Sequence, residues 1–290
     1  MKMFVRLFVL ASAIIAGQSN AGIIHQERSL YRNILISEEN GKRCMRFMMK
    51  DVATHNQSCR YLSDDKKLVF DYTKMVVAGM MFKSDAKRIL IVGLGGGTLP
   101  MSFNELLPNA TTTTVEIDDA VVRAARKYFN YSESSRIVTA IEDARIWIKR
   151  AAKRNEKFDL IVLDAFNGDY IPEHLMTKEF LSEVKSLLDD NGLVLANTFS
   201  TSRLYHAESV TYEAVFPALR MMKSAKGNRV ILAAKQTIVT PDESALRAWS
   251  FALSRYDVDP FAMLQLEKAP DWDRSAKVLT DQFSPANLMR

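Results

Sequence analysis

Three carboxylates and one glycine-rich turn each follow an apolar run of the chain. Glu116 ends the run TTTVEI, Asp143 follows residues 136–139, and Asp164 follows FDLIVL, while the turn GLGGG at 93–97 follows ILIV. Glycines permit a tight turn that a ligand can approach closely. An acid about twenty residues further on can accept hydrogen bonds from both hydroxyls of a ribose. Together they predict an adenosine-type ligand, although the turn alone also fits a β-to-α connection without a ligand.

Asp164 follows the most apolar of these runs, so its strand is expected near the middle of a sheet. A carboxylate there would lie over the cleft, near the reacting group. The alternative is a structural acid held by backbone N–H groups. Asp143 could accept a hydrogen bond from an adenine amino group or cap the following helix, and both interpretations stay open. Asp118 fits a helix cap better.

The elements that must position these residues alternate between strand and helix from Lys87 onward. This alternation predicts βαβ units and a doubly wound, mostly parallel α/β sheet. Ligands bind beyond the carboxyl ends of the strands in such a sheet. The predicted strands are Ile89–Val92, Thr112–Ile117, Arg136–Thr139, Phe158–Leu163 and Leu193–Asn197. The predicted helices lie near 99–107, 119–130, 143–154 and 177–188.

The second half of the chain continues with less regular signals. Asn191-Gly192 is expected to cap the fourth of these helices. A long helix near 203–221, a strand near Asn228–Ala234 and a helix from about 243 to 256 are predicted next. The last thirty residues, which contain several prolines, predict an irregular closing segment.

The part before Lys87 has the pattern of a small antiparallel β region. Ser29–Ile36 and Arg43–Met49 predict two strands, and the Asn40-Gly41 pair between them is a strong hairpin signal. A loop is predicted over 51–63 and a helix over Phe70–Phe82.

The first 21 residues predict a signal peptide. Lys2 and Arg6 provide the basic start, and the apolar run Leu7–Ala16 is too short to span a bilayer. Ser19-Asn20-Ala21 offers a cleavage site, so export to the periplasm or beyond is expected, with no membrane attachment afterwards. An uncleaved anchor and a wrongly assigned start codon are the alternatives.

Three parts of the chain follow from these patterns. Residues 1–21 form the signal peptide, residues 22–82 a β-hairpin domain with a connecting helix, and residues 83–290 a Rossmann-like catalytic domain.

The composition fits an ordinary globular protein of 290 residues, with 48% hydrophobic and 25% charged residues. The net charge of +5 is spread along probable helix faces without an aromatic-interleaved basic motif, so no nucleic acid partner is expected. Cys44 and Cys59 could pair in an exported chain or remain thiols. The cysteines and histidines lack metal-ligand spacing, so no metal is expected.

The segment from about Ser29 to Ser200 resembles the spermidine synthase (polyamine aminopropyltransferase) family. The matching stretches are ILIVGLGGGT, TVEIDDAVVRAARKYF, EDA at 142–144, KFDLIVLDAF and LMTKEFLSEVKSLLDDNGLVLANTF. NQS at 56–58 and DYTKM at 71–75 also resemble that family's N-terminal part. The resemblance implies the class I S-adenosylmethionine-dependent methyltransferase fold, with a seven-stranded, mostly parallel sheet and a small N-terminal antiparallel β domain.

The resemblance also implies a reaction, the transfer of an aminopropyl group from decarboxylated S-adenosylmethionine to putrescine or a related amine. Asp164 matches the position of the family's catalytic acid. The residues expected to hold the donor are Gly93, Gly95, Gly97, Glu116 and Asp143. The residues expected near the amine are Gln57, Tyr72, Asn167 and Asp169. The family resemblance further suggests a homodimer.

The sequence departs from the family pattern at three places. Gly96 replaces an aspartate of the glycine motif, Asn167 replaces a second aspartate after Asp164, and Thr73-Lys74 replaces a His-Glu pair. Each change removes attraction for an amine. Two other functions therefore stay open. They are an S-adenosylmethionine-dependent methyltransferase and a non-catalytic exported binding protein on the same scaffold.

Overall fold

The computed structural model describes residues 22–49, 52–166 and 170–283. The predicted signal peptide, and Asn167 and Asp169 in the segment after Asp164, lie outside these residues. The predictions made for them remain predictions.

The N-terminal part of the described chain forms an antiparallel sheet whose strands follow chain order. Its four strands are β1 (Gly22–Arg28), β2 (Asn33–Glu39), β3 (Lys42–Met49) and β4 (Val52–Tyr61). Asn40 and Gly41 have φ of 50° and 71°, the left-handed values that a two-residue hairpin turn requires. The hairpin prediction is confirmed.

Two predictions for this sheet are corrected. The strand expected from Ser29 begins at Asn33, because the Ser29 hydroxyl donates to the Arg32 carbonyl and fixes a turn. The loop expected over 51–63 is wrong, since β4 occupies most of it. This strand has no apolar alternation because Asn56, Gln57 and Ser58 line a cavity.

Cys44 and Cys59 form a disulfide. They lie opposite each other on β3 and β4, and their Cα atoms are 4.1 Å apart. Of the two alternatives left open by the sequence, the structure has the paired one.

The main sheet contains seven strands within the described residues. They are β5 (Arg88–Val92), β6 (Thr111–Glu116), β7 (Ile137–Ile141), β8 (Phe158–Leu163), β9 (Leu188–Phe199), β10 (Ala218–Lys223) and β11 (Asn228–Ala234). Their order across the sheet is β10-β11-β9-β8-β5-β6-β7. Strands β5 to β9 are parallel, whereas β10 and β11 are antiparallel to their neighbours. The direction of winding reverses between β5 and β8, and ligands bind at such switch points.

Helices cover the sheet and connect its strands. They are α1 (Asp71–Gly79), α2 (Thr98–Leu106), α3 (Asp119–Tyr128), α4 (Ala144–Lys153), α5 (Lys178–Leu187), α6 (Tyr205–Glu213), α7 (Glu243–Leu253) and α8 (Pro260–Gln265). A 3₁₀ turn, Met80–Lys83, extends α1. Asp118 caps α3 by accepting the backbone N–H of Ala120, as predicted.

Three predictions for the second half are corrected. The helix expected over 203–221 ends at Glu213, and its last residues belong to β10, the edge strand beside β11. Asn191-Gly192 lies inside β9 rather than at a helix end, because the chain passes directly from Leu187 into that strand through a bulge against β8. The closing segment is not wholly irregular, since it contains most of α8.

The core lies on both faces of the main sheet. Alternate residues of β5 face opposite sides, so Ile89 and Ile91 pack in one apolar cluster and Leu90 packs in the other. The N-terminal sheet packs against α3 through a third cluster that includes Ile36 and Phe129. No helix of the described residues is long and apolar enough to cross a membrane.

Arg32 ties the N-terminal sheet to the main sheet. It leaves the β1–β2 turn, stacks its guanidinium 4.3 Å from the centre of the Phe47 ring, and donates to the Phe166 carbonyl at 3.1 Å. Its Nε lies 3.8 Å from a carboxylate oxygen of Asp118. The N-terminal sheet is thereby held over the carboxyl ends of the central strands.

Candidate active site

A cavity of about 800 Å³ lies between the two sheets. Its floor is made by residues that follow β5, β6 and β8, and its walls come from β4, α1 and the end of β9. Among the predicted site residues of the described chain, those that line it are Gln57, Tyr72, Gly93, Gly95, Glu116, Asp143 and Asp164. The structure therefore brings together side chains that are far apart in the sequence.

The glycine turn forms the part of the floor after β5. Gly93 has φ of 96°, and a Cβ there would lie 2.2 Å from the carbonyl oxygen of Asp164. No other residue type fits this contact. Gly97 also has positive φ and begins α2, but it does not line the cavity; the ring of Tyr131 packs against it. Its predicted contact with a donor is the weakest of the three glycines.

Glu116 closes the cavity at the end of β6. Its carboxylate accepts the backbone N–H groups of Leu94 and Asp118, each at 3.0 Å. Burial raises the pKa of Glu116, whereas these two N–H groups and the Arg32 charge oppose the rise. The acid thus holds the glycine turn, and it also lines the cavity, where the predicted ribose would lie.

The sequence left two roles open for Asp143, a helix cap and a contact with adenine, and the structure shows the first. Its Oδ1 accepts the backbone N–H of Ile146 and caps α4, which confirms the cap. Its Oδ2 lies 3.0 Å from Nε2 of His174, and both side chains line the cavity. A contact with adenine stays a prediction.

Asp164 lies at the carboxyl end of β8, beside the glycine turn. Its Oδ1 accepts a hydrogen bond from Nδ2 of Asn197 at 2.8 Å, and the Tyr72 hydroxyl donates to the same carboxylate. Burial is the main reason that the pKa of Asp164 rises to about 7, with the charge of Glu116 adding to it; Asn197 and Tyr72 lower it. Both the protonated and the ionised form of this carboxylate are therefore accessible near neutral pH.

Tyr72 reaches Asp164 from α1. Burial raises the pKa of the Tyr72 hydroxyl well above its usual value, and the neighbouring Asp164 charge raises it further. Tyr72 therefore stays a hydrogen-bond donor rather than a base. The next two residues have partners of their own. The Thr73 hydroxyl donates to the Phe70 carbonyl, and Lys74 pairs with Asp257 at 2.7 Å.

Neighbouring side chains fill the space that a side chain at position 96 would occupy. A Cβ there would lie 2.9 Å from Cδ1 of Phe129 and 3.0 Å from Oγ of Ser58. The Gly96 N–H donates to that Oγ at 2.8 Å. A serine from the N-terminal sheet thus occupies the space where the family pattern has an aspartate.

Ser58, Asn197 and Arg32 line the cavity but were not among the predicted site residues, and neither was His174, which contacts Asp143. Asn197 follows the apolar run LVLA, so the rule that identified Asp164 could have found it. Arg32 lies in a turn and Ser58 on a polar strand, and neither carries a local signal.

The described residues contain no group of three His, Cys, Asp or Glu side chains arranged to hold a metal ion. The polar groups of the cavity are hydrogen-bonding carboxylates, amides and hydroxyls. Their arrangement suits an organic ligand with a sugar and a nitrogen-containing group.

The fold is the methyltransferase-like α/β fold, with the cavity at the carboxyl ends of its central strands. A probable spermidine synthase from Corynebacterium glutamicum has the same fold, with a TM-score of 0.68 and 21% identity over 91% of this chain and 98% of that one. A spermidine synthase solved with the transition-state analogue AdoDATO also shares it, with a TM-score of 0.61 and 18% identity over 89% of this chain and 83% of that one.

The sequence identifies the family. The family model "Spermine/spermidine synthase domain" matches residues 69–224. The chain is 44% identical to the polyamine aminopropyltransferase of Vibrio vulnificus over 298 aligned positions, which cover 99% of this chain and 97% of that protein. The chain belongs to the spermine/spermidine synthase family, as the resemblance indicated.

Proposed function

We propose that the protein transfers an aminopropyl group from decarboxylated S-adenosylmethionine to putrescine or a related amine. The observation that carries this proposal is the position of Asp164. It is a buried carboxylate with a pKa of about 7 in the same cavity as the glycine turn and Glu116. A base of this strength is suited to take a proton near neutral pH.

The reaction follows from the state of the nucleophile. An alkyl amine is mostly protonated at neutral pH, so one proton must leave before its lone pair can attack. Asp164 accepts this proton. The amine nitrogen then forms a bond to the aminopropyl carbon that is attached to the sulfonium sulfur. The bond between this carbon and the sulfur breaks, and 5′-methylthioadenosine leaves with the electron pair. Tyr72 and Asn197 hold the carboxylate in place for the proton transfer.

The donor's adenosine is assigned to the part of the cavity floored by Gly93, Gly95 and Glu116, with Gly97 acting through the shape of the turn. The Glu116 carboxylate is the ribose ligand in this assignment, and Asp143 lies where an adenine amino group would approach. Both carboxylates already accept hydrogen bonds from the protein, which fixes their orientation before a ligand binds.

The amine is assigned to the side of Asp164 that faces Tyr72 and Gln57. Both line the cavity. Asn167 and Asp169 are proposed for the same side on the family resemblance alone.

The first experiment supplies residues 22–290 with decarboxylated S-adenosylmethionine and putrescine. We expect 5′-methylthioadenosine and spermidine in equal amounts. Asp164→Asn should slow the formation of both products by roughly 10²–10⁴-fold while leaving donor binding, measured by calorimetry, intact. A folded wild-type protein that forms neither product with putrescine or any other amine would contradict the proposal.

Methyl transfer from S-adenosylmethionine is the second candidate, and the surroundings of Gly96 favour it. The hydroxyl of Ser58 and the ring of Phe129 are the groups nearest to this point, and neither would repel the carboxylate that distinguishes S-adenosylmethionine from its decarboxylated form. Supplying S-adenosylmethionine with the same amines separates the two functions, because methyl transfer releases S-adenosylhomocysteine instead of 5′-methylthioadenosine.

We also propose that the protein is exported and forms a homodimer. The basic and apolar pattern of residues 1–21 supports export, and so does the Cys44–Cys59 disulfide, since disulfides persist in oxidising compartments. The exposed apolar side chains of Ile23 and Ile24 on β1 support a contact between two copies. Cell fractionation and sedimentation analysis test these two proposals.

A further inference from the structure

Asn197 contributes an unpaired acceptor to the cavity. The residue lies on β9 and is 4% exposed. Its Nδ2 donates to Asp164, which fixes the direction of the amide, because a carboxylate offers only acceptors. Its Oδ1 is buried and has no hydrogen-bond partner in the described structure, although the side chain lines the cavity. A buried acceptor without a donor is costly and calls for a ligand that supplies one.

The chemistry of that ligand follows from the neighbours of the unpaired oxygen. Asn197 stands beside Asp164 because their strands are parallel neighbours, with Leu163 opposite Ala196. A nitrogen that gives one proton to Asp164 is therefore within the same small region as Oδ1 of Asn197. After that proton has left, a primary amine keeps two N–H groups and its lone pair. A secondary amine keeps one N–H, and a hydroxyl or thiol keeps none.

We propose that Asn197 binds the attacking amine through Oδ1 while its Nδ2 orients Asp164, and that this pair selects amines that keep an N–H after the proton has left. One N–H of the nucleophile donates to the amide oxygen, and the proton removed goes to the carboxylate. The lone pair is then directed away from β8 and β9, toward the glycine turn where the donor is assigned. This inference rests on the proposed function for the identity of the reaction, but the binding of the amine is separate from turnover.

Asn197→Leu is the test variant, since leucine has a similar shape and lacks both polar atoms. Asn104→Leu is the matched control. Asn104 on α2 also has a buried Oδ1 without a partner, but it does not line the cavity. The acceptors are putrescine, whose ends are primary amines, and N,N,N′,N′-tetramethylputrescine, whose tertiary ends keep no N–H once a proton has gone to Asp164. Calorimetry in the presence of 5′-methylthioadenosine gives their affinities, and thermal melting shows that each variant is folded.

We expect Asn197→Leu to weaken putrescine binding about 10- to 100-fold, the range for a hydrogen bond to a charged or reacting group. Binding of N,N,N′,N′-tetramethylputrescine should change much less, so the preference for putrescine falls. Asn104→Leu should leave both affinities unchanged. In the wild type, the hydrogen bond from Asn197 lowers the pKa of Asp164. Asn197→Leu removes this bond, so the pKa should rise and the acidic limb of the pH–rate profile should move to higher pH.

The outcomes separate this inference from the proposed function. Equal losses for both amines, or an unchanged preference in a folded Asn197→Leu protein, would overturn the role of Asn197 even if the wild type transfers aminopropyl groups. Asn197-dependent binding of putrescine without any transfer would sustain the inference and reject the proposed function. Failure of the wild type to bind either amine would reject both.

Discussion

The hydroxyl oxygen of Ser58 accepts the backbone N–H of Gly96 at 2.8 Å. This bond joins β4 of the N-terminal sheet to the glycine turn of the main sheet. The same oxygen would lie 3.0 Å from any Cβ at position 96. The serine hydroxyl therefore requires a glycine at position 96, and its hydrogen bond holds the glycine turn in shape from the other sheet.

Ser58→Ala should lower the free energy of unfolding by about 1–3 kcal/mol, because the Gly96 N–H is left buried without a partner. Donor affinity should fall as well, since the turn loses its support. Urea unfolding and calorimetric titration with the donor measure the two effects. Ser37→Ala is the control, because Ser37 is equally buried in the same sheet but lies outside the cavity. Equal behaviour of the two variants would contradict this role.

The activity should depend on the ionisation of Asp164. Its pKa of about 7 predicts that kcat/KM rises with pH below about 7 and no longer rises from this cause above it, because the base must be ionised. Asp164→Asn should lower kcat/KM by roughly 10²–10⁴-fold, the usual contribution of a general base. A pH profile of initial rates tests both points. An activity that stays constant from pH 5 to 8 would exclude Asp164 as the base.

The same carboxylate should destabilise the fold at neutral pH. Below pH 3.8 the side chain is protonated in both the folded and the unfolded state. Between pH 3.8 and about 7 it ionises in the unfolded state but stays largely protonated in the folded state, so the free energy of unfolding falls as the pH rises. At 1.36 kcal/mol per pKa unit, the loss reaches at most about 4 kcal/mol. Asp164→Asn should therefore be more stable than the wild type at pH 8 and equal to it near pH 3.5. Denaturant unfolding at the two pH values measures the difference.

Tyr72→Phe removes a hydrogen bond that favours the ionised form of Asp164. The pKa of Asp164 should rise, so the acidic limb of the rate profile should move to higher pH, and the rate at pH 7 should fall about 10-fold for a lost charged hydrogen bond. Tyr131→Phe is the control, because its hydroxyl contacts Thr139 away from the cavity. A profile that loses amplitude without shifting would indicate that Tyr72 only contacts substrate.

Replacing Cys44 and Cys59 together by alanine should lower the free energy of unfolding by about 3 kcal/mol, the chain-entropy value for a loop of this size; the two residues are 15 apart in sequence. Because Cys59 directly follows Ser58, donor binding should weaken too. Thermal melting with and without donor measures both. A stability equal to that of the wild type would show that the sheet does not depend on the bond.

Periodicity alone found most of the main sheet. The buried runs around Ile91 and Ile161 and the amphipathic segments between them gave the strands and helices, because parallel βαβ units carry these patterns locally. The failures lie where pairing or ligand contact decides the structure. Strand β10 lies at the edge of the sheet beside β11, and β4 turns polar residues toward the cavity, so neither shows an apolar period.

The candidate site divides in the same way. Asp164 and Glu116 were found because both end strands of a sheet whose topology fixes where ligands bind. Asn197 obeys the same rule but is uncharged, so the search for carboxylates passed over it. Arg32 and Ser58 come from the other sheet, and their position depends on how the two sheets pack, which no local pattern encodes.

Arg32 reaches Phe166 across 134 positions of the chain, and Ser58 reaches Gly96 across 38. Contacts between such distant positions form late in folding, because the entropy cost of closing a long loop comes before the contacts can stabilise the chain. We expect refolding experiments to recover sheet and helix signals first and catalytic activity with the slowest phase. In this protein, competence to react would then be the last property that the chain acquires after synthesis.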